Sequence, residues 1–552
     1  MQSNPARIAV LIAVLITCYA LTVSTCLAQA TPTLTIDAGA IRHPISPDIY
    51  GMLGGGIQLN PTLAAELKIA NVRWGGDAAT RYNWAYDSTC DGADNWFVCQ
   101  LFGPVTPGYA VDNMISTYRT AYAGSHILVT IPIIPWIDSS STELCSYPVS
   151  VYGSQQAQIT IGTGQVCGNG VTTSGTNIVD SNIPYDMVAN STAAQTAWLN
   201  HLVSKWGTAA NAGVTYYQLD NEPGGWANTH RDAIPNQPTY DVISSLGEQY
   251  ATAIKAVDPT AKVLGPSDYG EWGWVENVPS GSSLLAGQYY LQQFAQYDAA
   301  HGSRTLDCFD EHYGVGDSSS PANSFNQVRT FWDPTYMSSG DFPYALTGSS
   351  PAAIEMIPRF QNWVATYYPN TAICMSEYEV QHQSPANPLV DALVEGDALG
   401  VFGYYDLQLA NLYDTVNPTD PEAYTFLMYR NYDGNGSQFG DTSVSSTSTD
   451  QTQLSVYGAL RSTDGALTII AINKTTAAIQ TSLSLSNFNS TGTAAVYSYS
   501  SANLAQIVAG SPVPVSSNTI SYTFPAYSET MFVLTAGGTA PGAASGLRTS
   551  VH

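Results

Sequence analysis

The chain has little positive charge. Its 552 residues hold 17 Lys and Arg against 43 Asp and Glu, a net charge of −26, and charged residues of all kinds make up only 11%. A surface that acidic repels a phosphate backbone, which excludes nucleic acid as a partner and leaves a neutral substrate unopposed. Long apolar runs are also missing: beyond the N-terminus no stretch is apolar enough to span a bilayer. There are no internal repeats, and no pair of cysteines has the spacing of a zinc site. What is present suits a globular chain. At 44% hydrophobic it can bury a large core, and its length fits two folded units. Ser, Thr, Asn, Gln and Gly are abundant, with 35 Tyr and 11 Trp.

The N-terminus has the layout of a secretory signal. Arg7 supplies the positive start, Ile8 to Val23 the apolar stretch, and Ala28-Gln29-Ala30 a small-x-small cleavage site. The mature chain is therefore expected to begin near Thr31, to be secreted, and to have no contact with a membrane after cleavage. Export makes the cysteines interpretable. Cys90 with Cys99, and Cys145 with Cys167, each lie within one loop-like segment and can each close a local disulfide. Cys308 and Cys374 fall inside apolar strand patterns and read as small buried hydrophobes.

Short apolar runs recur, each ending in Gly or polar residues: 49–53, 70–74, 127–131, 216–219, 262–265, 306–312, 372–376 and 399–405. Helical patterns lie between them, as at 192–206 and 240–257, the second stopped by Asp258-Pro259. Eight strands alternating with helices predict an α/β protein with a (β/α)8 TIM barrel. A Gly/Ser/Thr-rich stretch at 137–186 interrupts the alternation and is expected to wall a cleft. Past about Gly440 helical patterns vanish, and alternating strands predict a β-sandwich. The expected division is a signal peptide at 1–30, an N-terminal strand joining the sandwich at 31–45, a catalytic barrel at 46–439, the sandwich at 440–536 and a disordered tail at 537–552.

Barrel enzymes carry their chemistry at the C-terminal ends of the strands. Two such ends present carboxylates. Tyr216 to Leu219 runs into Asp220-Asn221-Glu222-Pro223, and Ile373 to Ser376 runs into Glu377-Tyr378-Glu379. Glu377 is preferred over Glu379 because it directly follows the strand. Each motif read alone also fits a surface turn. Together, two carboxylates facing each other at a barrel mouth are the equipment for glycoside hydrolysis. A third strand ends at Arg73-Trp74-Gly75-Gly76-Asp77, where Arg73 is placed to bond the nucleophile. A fourth ends at Asp310-Glu311-His312-Tyr313, where His312 or Tyr313 can contact the nucleophile or a sugar, although a lone His there also fits a scaffold role. Trp74, Trp84, Trp136, Trp226, Trp272 and Trp274 lie at strand ends or in the following loops, where indoles can stack on pyranose rings.

These residues resemble glycoside hydrolase family 44. The likeness rests on Leu219-Asp220-Asn221-Glu222-Pro223 with Trp226, Thr229-His230 and Pro238-Thr239-Tyr240, on Arg73-Trp74-Gly75-Gly76 with Ala79 to Trp84, and on Ser376-Glu377-Tyr378 and His312-Tyr313. It implies Glu222 as acid/base and Glu377 as nucleophile; from their places at strand ends, Asn221, Arg73, Trp74, His312, Tyr313, Trp84, Trp136 and Trp226 are the expected supporting or substrate-binding residues. It also implies retaining endo cleavage of β-1,4-glucans or xyloglucan and, in some members, a structural calcium with no ligands assigned; no cofactor is expected for catalysis, and the chain is expected to act as a monomer. Asp77, Gly224-Gly225 and Gly314 depart from the family pattern near the cleft, which bears on specificity more than on mechanism. A xylanase or arabinofuranosidase on the same scaffold, and a non-catalytic carbohydrate-binding protein, remain the alternatives.

Overall fold

The computed structural model describes residues 30–54, 59–139, 141–179, 186–315, 319–337, 353–380 and 387–537. All but the last residue of the expected signal peptide and all but the first residue of the expected tail lie outside them. Among the described residues no helix is long and apolar enough to cross a membrane.

Eight parallel strands close into a barrel in sequence order: β1 (Gly51–Leu53), β2 (Asn71–Trp74), β3 (His126–Ile131), β4 (Tyr216–Leu219), β5 (Lys262–Tyr269), β6 (Cys308–Val315), β7 (Ala372–Val380) and β8 (Leu409–Leu412). The inward side chains come in layers, because alternate residues of a strand face the same side. Leu128, Tyr216, Leu264, Cys308, Cys374 and Leu409 make an apolar floor. Two residues further on, Thr130, Gln218, Asp310 and Ser376 form a buried polar layer beneath the mouth. The change from apolar to polar within each strand decides which end of the barrel can do chemistry.

Two expectations are corrected here. Residues 399–405 are not the eighth strand but the end of a helix, Pro388–Tyr404. Every residue from Leu389 to Gly403 is buried, so the helix shows no polar stripe and its apolar end looks like a strand. A Cβ at Gly400 would lie 2.3 Å from the Tyr457 ring, which sets how closely the second domain packs there. Cys308 and Cys374 are buried as expected, but they are bonded to each other. Each was weighed within its own strand, whereas β6 and β7 are neighbours in the closed barrel and bring the two Cα atoms to 5.9 Å. Cys90–Cys99 and Cys145–Cys167 are also joined.

The second domain is a β-sandwich around Leu34, Ile36, Val444, Val456, Ile469, Leu483, Ile520 and Phe532. Its N-terminal strand, Leu34–Asp37, runs antiparallel to Thr442–Ser448 and parallel to Ile479–Ser486. The stretch at 137–186 is not structureless: it pairs 158–160 with 166–168, and its strand Leu144–Cys145 joins the strands 88–90 and 98–101.

Candidate active site

The end of β4 is built to aim one carboxyl. Asp220 and Glu222 both have left-handed backbones, with φ of 67° and 50°, a conformation that costs a non-glycine residue energy and persists only when its surroundings impose it. The constraints are visible. Asp220 Oδ2 accepts from the amides of Ile133 and Ile134 at 2.6 and 2.9 Å, tying β4 to the chain after β3. Burial pushes Asp220 up to about 6 against these bonds. The Glu222 amide donates to Ser267 O at 2.9 Å. Asp268 accepts from the Gly224 amide at 2.9 Å and from the Tyr240 hydroxyl, holding the turn after Glu222. Burial likewise raises Asp268 to about 6, and the charge of Glu222 adds to the effect.

Strand β7 delivers the second carboxyl through an irregularity. Its register with both neighbours slips, between Asp310 and Tyr313 on one side and between Met375 and Tyr378 on the other. As a result Ser376 and Glu377, though consecutive, both approach His312: Ser376 Oγ lies 3.1 Å from Nε2, and Glu377 Oε2 lies 3.8 Å from Nδ1. A regular strand would point them to opposite faces. Glu379 is exposed, whereas Glu377 is half-buried.

Between the two carboxyls lie a guanidinium and an imidazole. Arg73 is fully buried and spends its fork on three acceptors: Gln218 Oε1 at 2.9 Å from Nε, Glu377 Oε2 at 2.6 Å from Nη1, and Asn221 Oδ1 at 2.7 Å from Nη2. Asn221 Nδ2 donates to Asp77 Oδ1 at 3.0 Å, so its amide is held from both ends. His312 Nδ1 lies 2.8 Å from Glu222 Oε1. Burial alone would lower the imidazole, but Glu377 and Glu222 outweigh it and hold the group above its ordinary value. One carboxylate oxygen from each glutamate lies within 4.8 Å of the other.

Arg73, Asn221, Glu222, His312 and Glu377 are thus brought together; the other predicted residues are not. Tyr313 is buried against Trp274 and Phe331, with Glu271 as its carboxyl neighbour rather than Glu377. Trp226 is fully buried and Trp74 packs on Tyr82, Phe102 and Trp198, so neither offers a face to a sugar. Trp274 is buried as well. Trp84 lies against His201 of the helix Thr192–Trp206, and Trp136 is half-buried in a strand paired antiparallel with 187–189. Among the described residues, two tyrosines feel the charge of the carboxyls. Tyr269, 64% exposed, has its hydroxyl raised by burial and then by Glu222, Glu271, Glu379 and Glu377. Tyr413 is raised by burial and then by Glu377. Trp272 is exposed on the short helix just after Tyr269. The position of Tyr269 at the end of a barrel strand was the available signal, hidden by the choice of tryptophan as the sugar-stacking residue.

Calcium takes six to eight oxygen ligands. Among the described residues, the groups of three or more His, Cys, Asp or Glu side chains close enough to share an ion are Glu222, His312 and Glu377, and Cys90, Cys99 and Asp138, whose cysteines are bonded to each other. Neither is an all-oxygen set, so neither fits the calcium that the resemblance implies.

The model of glycoside hydrolase family 44 matches residues 84–315, the span that carries Glu222 and His312. Among solved structures, CelM2, a bifunctional glucanase-xylanase from a metagenome library, is 33% identical with a TM-score of 0.84, over 92% of this chain and 99% of that one. A Paenibacillus polymyxa xyloglucanase of family 44, also solved with xyloglucan, is 26% identical with a TM-score of 0.75, over 92% of this chain and all of that one. Endoglucanase A of Paenibacillus lautus is 25% identical over 92% of this chain and 73% of its own length. The likeness therefore runs through both domains and not the barrel alone, and the chain belongs to glycoside hydrolase family 44, as a glycoside hydrolase among endoglucanases and xyloglucanases.

Proposed function

We propose that the protein is a secreted, retaining endo-β-1,4-glucanase that cleaves cellulose-type glucans and xyloglucan, with Glu222 as acid/base and Glu377 as nucleophile. The observation that carries the mechanism is the approach of the two carboxyls to within 4.8 Å. Retaining glycosidases hold their pair about 5–5.5 Å apart, whereas inverting ones need about 6.5–9.5 Å to admit a water between them. The ion pair from Arg73 to Glu377 orients an anion for attack on the anomeric carbon. Glu222, bonded to His312 instead of a guanidinium, suits proton exchange. In the first step the Glu377 oxygen bonds to the anomeric carbon while the glycosidic bond breaks, and Glu222 gives its proton to the leaving oxygen. In the second, Glu222 takes a proton from water as that water displaces Glu377.

The substrate class is supported by the glucanase and xyloglucanase activities named for the relatives. Since CelM2 is also named a xylanase, xylan is the second substrate to test. Secretion is supported by the Arg7 to Ala30 segment and by three disulfides, which persist in oxidising compartments. In this reading residues 46–439 form the catalytic barrel, residues 440–536 with the strand in 31–45 form the sandwich, and the chain acts as a monomer on a polysaccharide.

The test compares Glu222→Ala and Glu377→Ala on carboxymethylcellulose and on an aryl cellobioside with a good leaving group. Glu377→Ala should abolish turnover of both. Glu222→Ala should lose most of its activity on the polymer but far less glycosylation rate on the aryl substrate, which needs no proton. Equal losses on the two substrates would rule out the acid/base assignment. A first-formed product of inverted anomeric configuration would rule out retention.

A further inference from the structure

Beneath the two carboxyls lies a pair of buried polar side chains that the mechanism above does not use. Asp310 on β6 is fully buried, and three donors converge on its two oxygens. The Ser376 amide donates to Oδ1 at 2.7 Å, and the hydroxyls of Ser376 and Ser267 donate to Oδ2 at 2.6 and 2.5 Å. A serine hydroxyl has one hydrogen. With that hydrogen committed to Asp310, Ser376 Oγ has only lone pairs to offer His312 Nε2, 3.1 Å away. Nε2 must then carry a hydrogen. The rival arrangement has Nε2 accept from Gln218 Nε2 at 3.4 Å. Gln218 does present its NH2 there, because its Oε1 is held by Arg73 Nε and by the Thr130 hydroxyl. That arrangement, however, sets two lone pairs against each other across the shorter contact to Ser376.

Resting on Glu222 as the acid/base, we propose that Asp310 and Ser376 are positioning residues that keep a hydrogen on His312 Nε2, so that Nδ1 and Glu222 Oε1, 2.8 Å apart, share a single proton. The acid of the reaction is then a pair. Before cleavage the shared proton supplies the leaving oxygen through Glu222. Once it has left, the Nδ1 lone pair faces a carboxylate, which makes the pair a stronger base for the incoming water, and the proton taken from that water restores the starting state. Among the described residues, the other titratable groups facing the pair are Glu377, 3.8 Å from Nδ1, Arg73 on β2, Asp268 beside Glu222, and the hydroxyls of Tyr269 and Tyr413.

Asp310→Asn tests this by reversing the polarity of the chain without changing its shape. An NH2 in place of Oδ2 donates to both serine hydroxyls, the Ser376 hydroxyl turns to donate to Nε2, and His312 is left with its hydrogen on Nδ1 as a fixed donor to ionised Glu222. The alkaline limb of kcat/KM should move down by about one pH unit, and the 15N spectrum of His312, assigned by its loss in His312→Gln, should switch tautomer. A merely structural role would lower activity and leave the limb in place. In the unsubstituted enzyme Nε2 should stay protonated throughout the active pH range while only Nδ1 titrates. That measurement holds even if the variant does not fold, and an unprotonated Nε2 would overturn the proposal. Glu222→Ala on aryl and polymeric substrates, run in parallel, separates the two failures. An unmoved limb and tautomer alongside a leaving-group effect at Glu222 sinks only the relay. Equal losses at Glu222 sink the acid/base assignment, and the tautomer is still read on its own.

Discussion

Replacing Arg73 with Lys keeps the charge and removes the fork, so it separates two things the guanidinium does. Arg73 serves Gln218, Asn221 and Glu377 at 2.9, 2.7 and 2.6 Å with no exposure to water. An ammonium group that reaches Glu377 cannot also reach Asn221 and Gln218. Gln218 Oε1 keeps the Thr130 hydroxyl at 3.1 Å, so the main casualty is Asn221 Oδ1, left buried without its donor. One buried acceptor unmet costs ~1–3 kcal/mol, and the lost charge-assisted bonds bring the expected destabilisation to ~2–4 kcal/mol. Asn221 is joined to Glu222 at a strained turn, so its loosening should misplace the acid. A displacement of that kind costs about 100-fold in rate, or roughly 2.7 kcal/mol of transition-state stabilisation. The assay is kcat and KM on an aryl cellobioside and on carboxymethylcellulose, well below the unfolding transition, with urea denaturation alongside. The loss should fall on kcat and leave KM within a few-fold. Activity within threefold of the parent and an unchanged urea midpoint would mean that charge alone organises the site, and the geometric argument would be refuted.

Two further outcomes follow from burial. Trp226→Ala should cost ~3–5 kcal/mol of stability without altering the ratio of glucan to xyloglucan activity, while Tyr269→Ala should do the reverse, raising KM on polymers with little change in the urea midpoint; the opposite pattern would return Trp226 to the cleft. Glu395 and Glu529 are both raised by burial to about 8 from an ordinary 4.5. The unfolded chain then ionises first as pH rises, so stability should fall between about pH 5 and 8 by about 1.4 kcal/mol per unit for each group, and Glu529→Gln should flatten that decline in urea midpoints; an unchanged slope would contradict it.

How much of this was legible depended on where each residue's partners lie. Strands β2 and β4 run into polar residues within the chain itself and β3 into a proline, so their limits could be read locally. The helix Pro388–Tyr404 could not, because its second face is covered by the sandwich and only the tertiary fold says so. The same limit hid Cys308–Cys374, whose closeness is a property of neighbouring strands, and buried Trp226, whose exposure no local pattern encodes. Glu222, Glu377, Arg73 and His312 were found because barrel strand ends are privileged positions. Gln218, Asp310 and Ser376 were passed over because one polar residue in an apolar strand usually means a satisfied core group. The available signal was their common depth: each lies two residues beyond a floor residue of its strand, and together they make a layer.

The position of Glu377 depends in turn on the sandwich. Its neighbour Tyr378 points the other way, out of the barrel, and donates to Glu395 Oε1 at 2.5 Å on the helix Pro388–Tyr404. Two residues along that helix, Asp397 accepts from the hydroxyls of Ser455 and Tyr457 at 2.6 and 2.8 Å and pairs with Lys474 at 2.5 Å, all three belonging to the sandwich. Asp397 and Lys474 are both buried, and breaking such a pair by removing one partner costs about 3–5 kcal/mol. Without the sandwich the helix would bare its second apolar face to water and leave Asp397 without its partners. The helix is also the wall against which β7 is seated, through Tyr378 and its ring contact with Phe402 at 5.1 Å. A tethered binding module could be removed and leave the barrel whole. This sandwich cannot, because it supplies the far side of the barrel's own core, and the slip in β7 that presents Glu377 is held in place from behind.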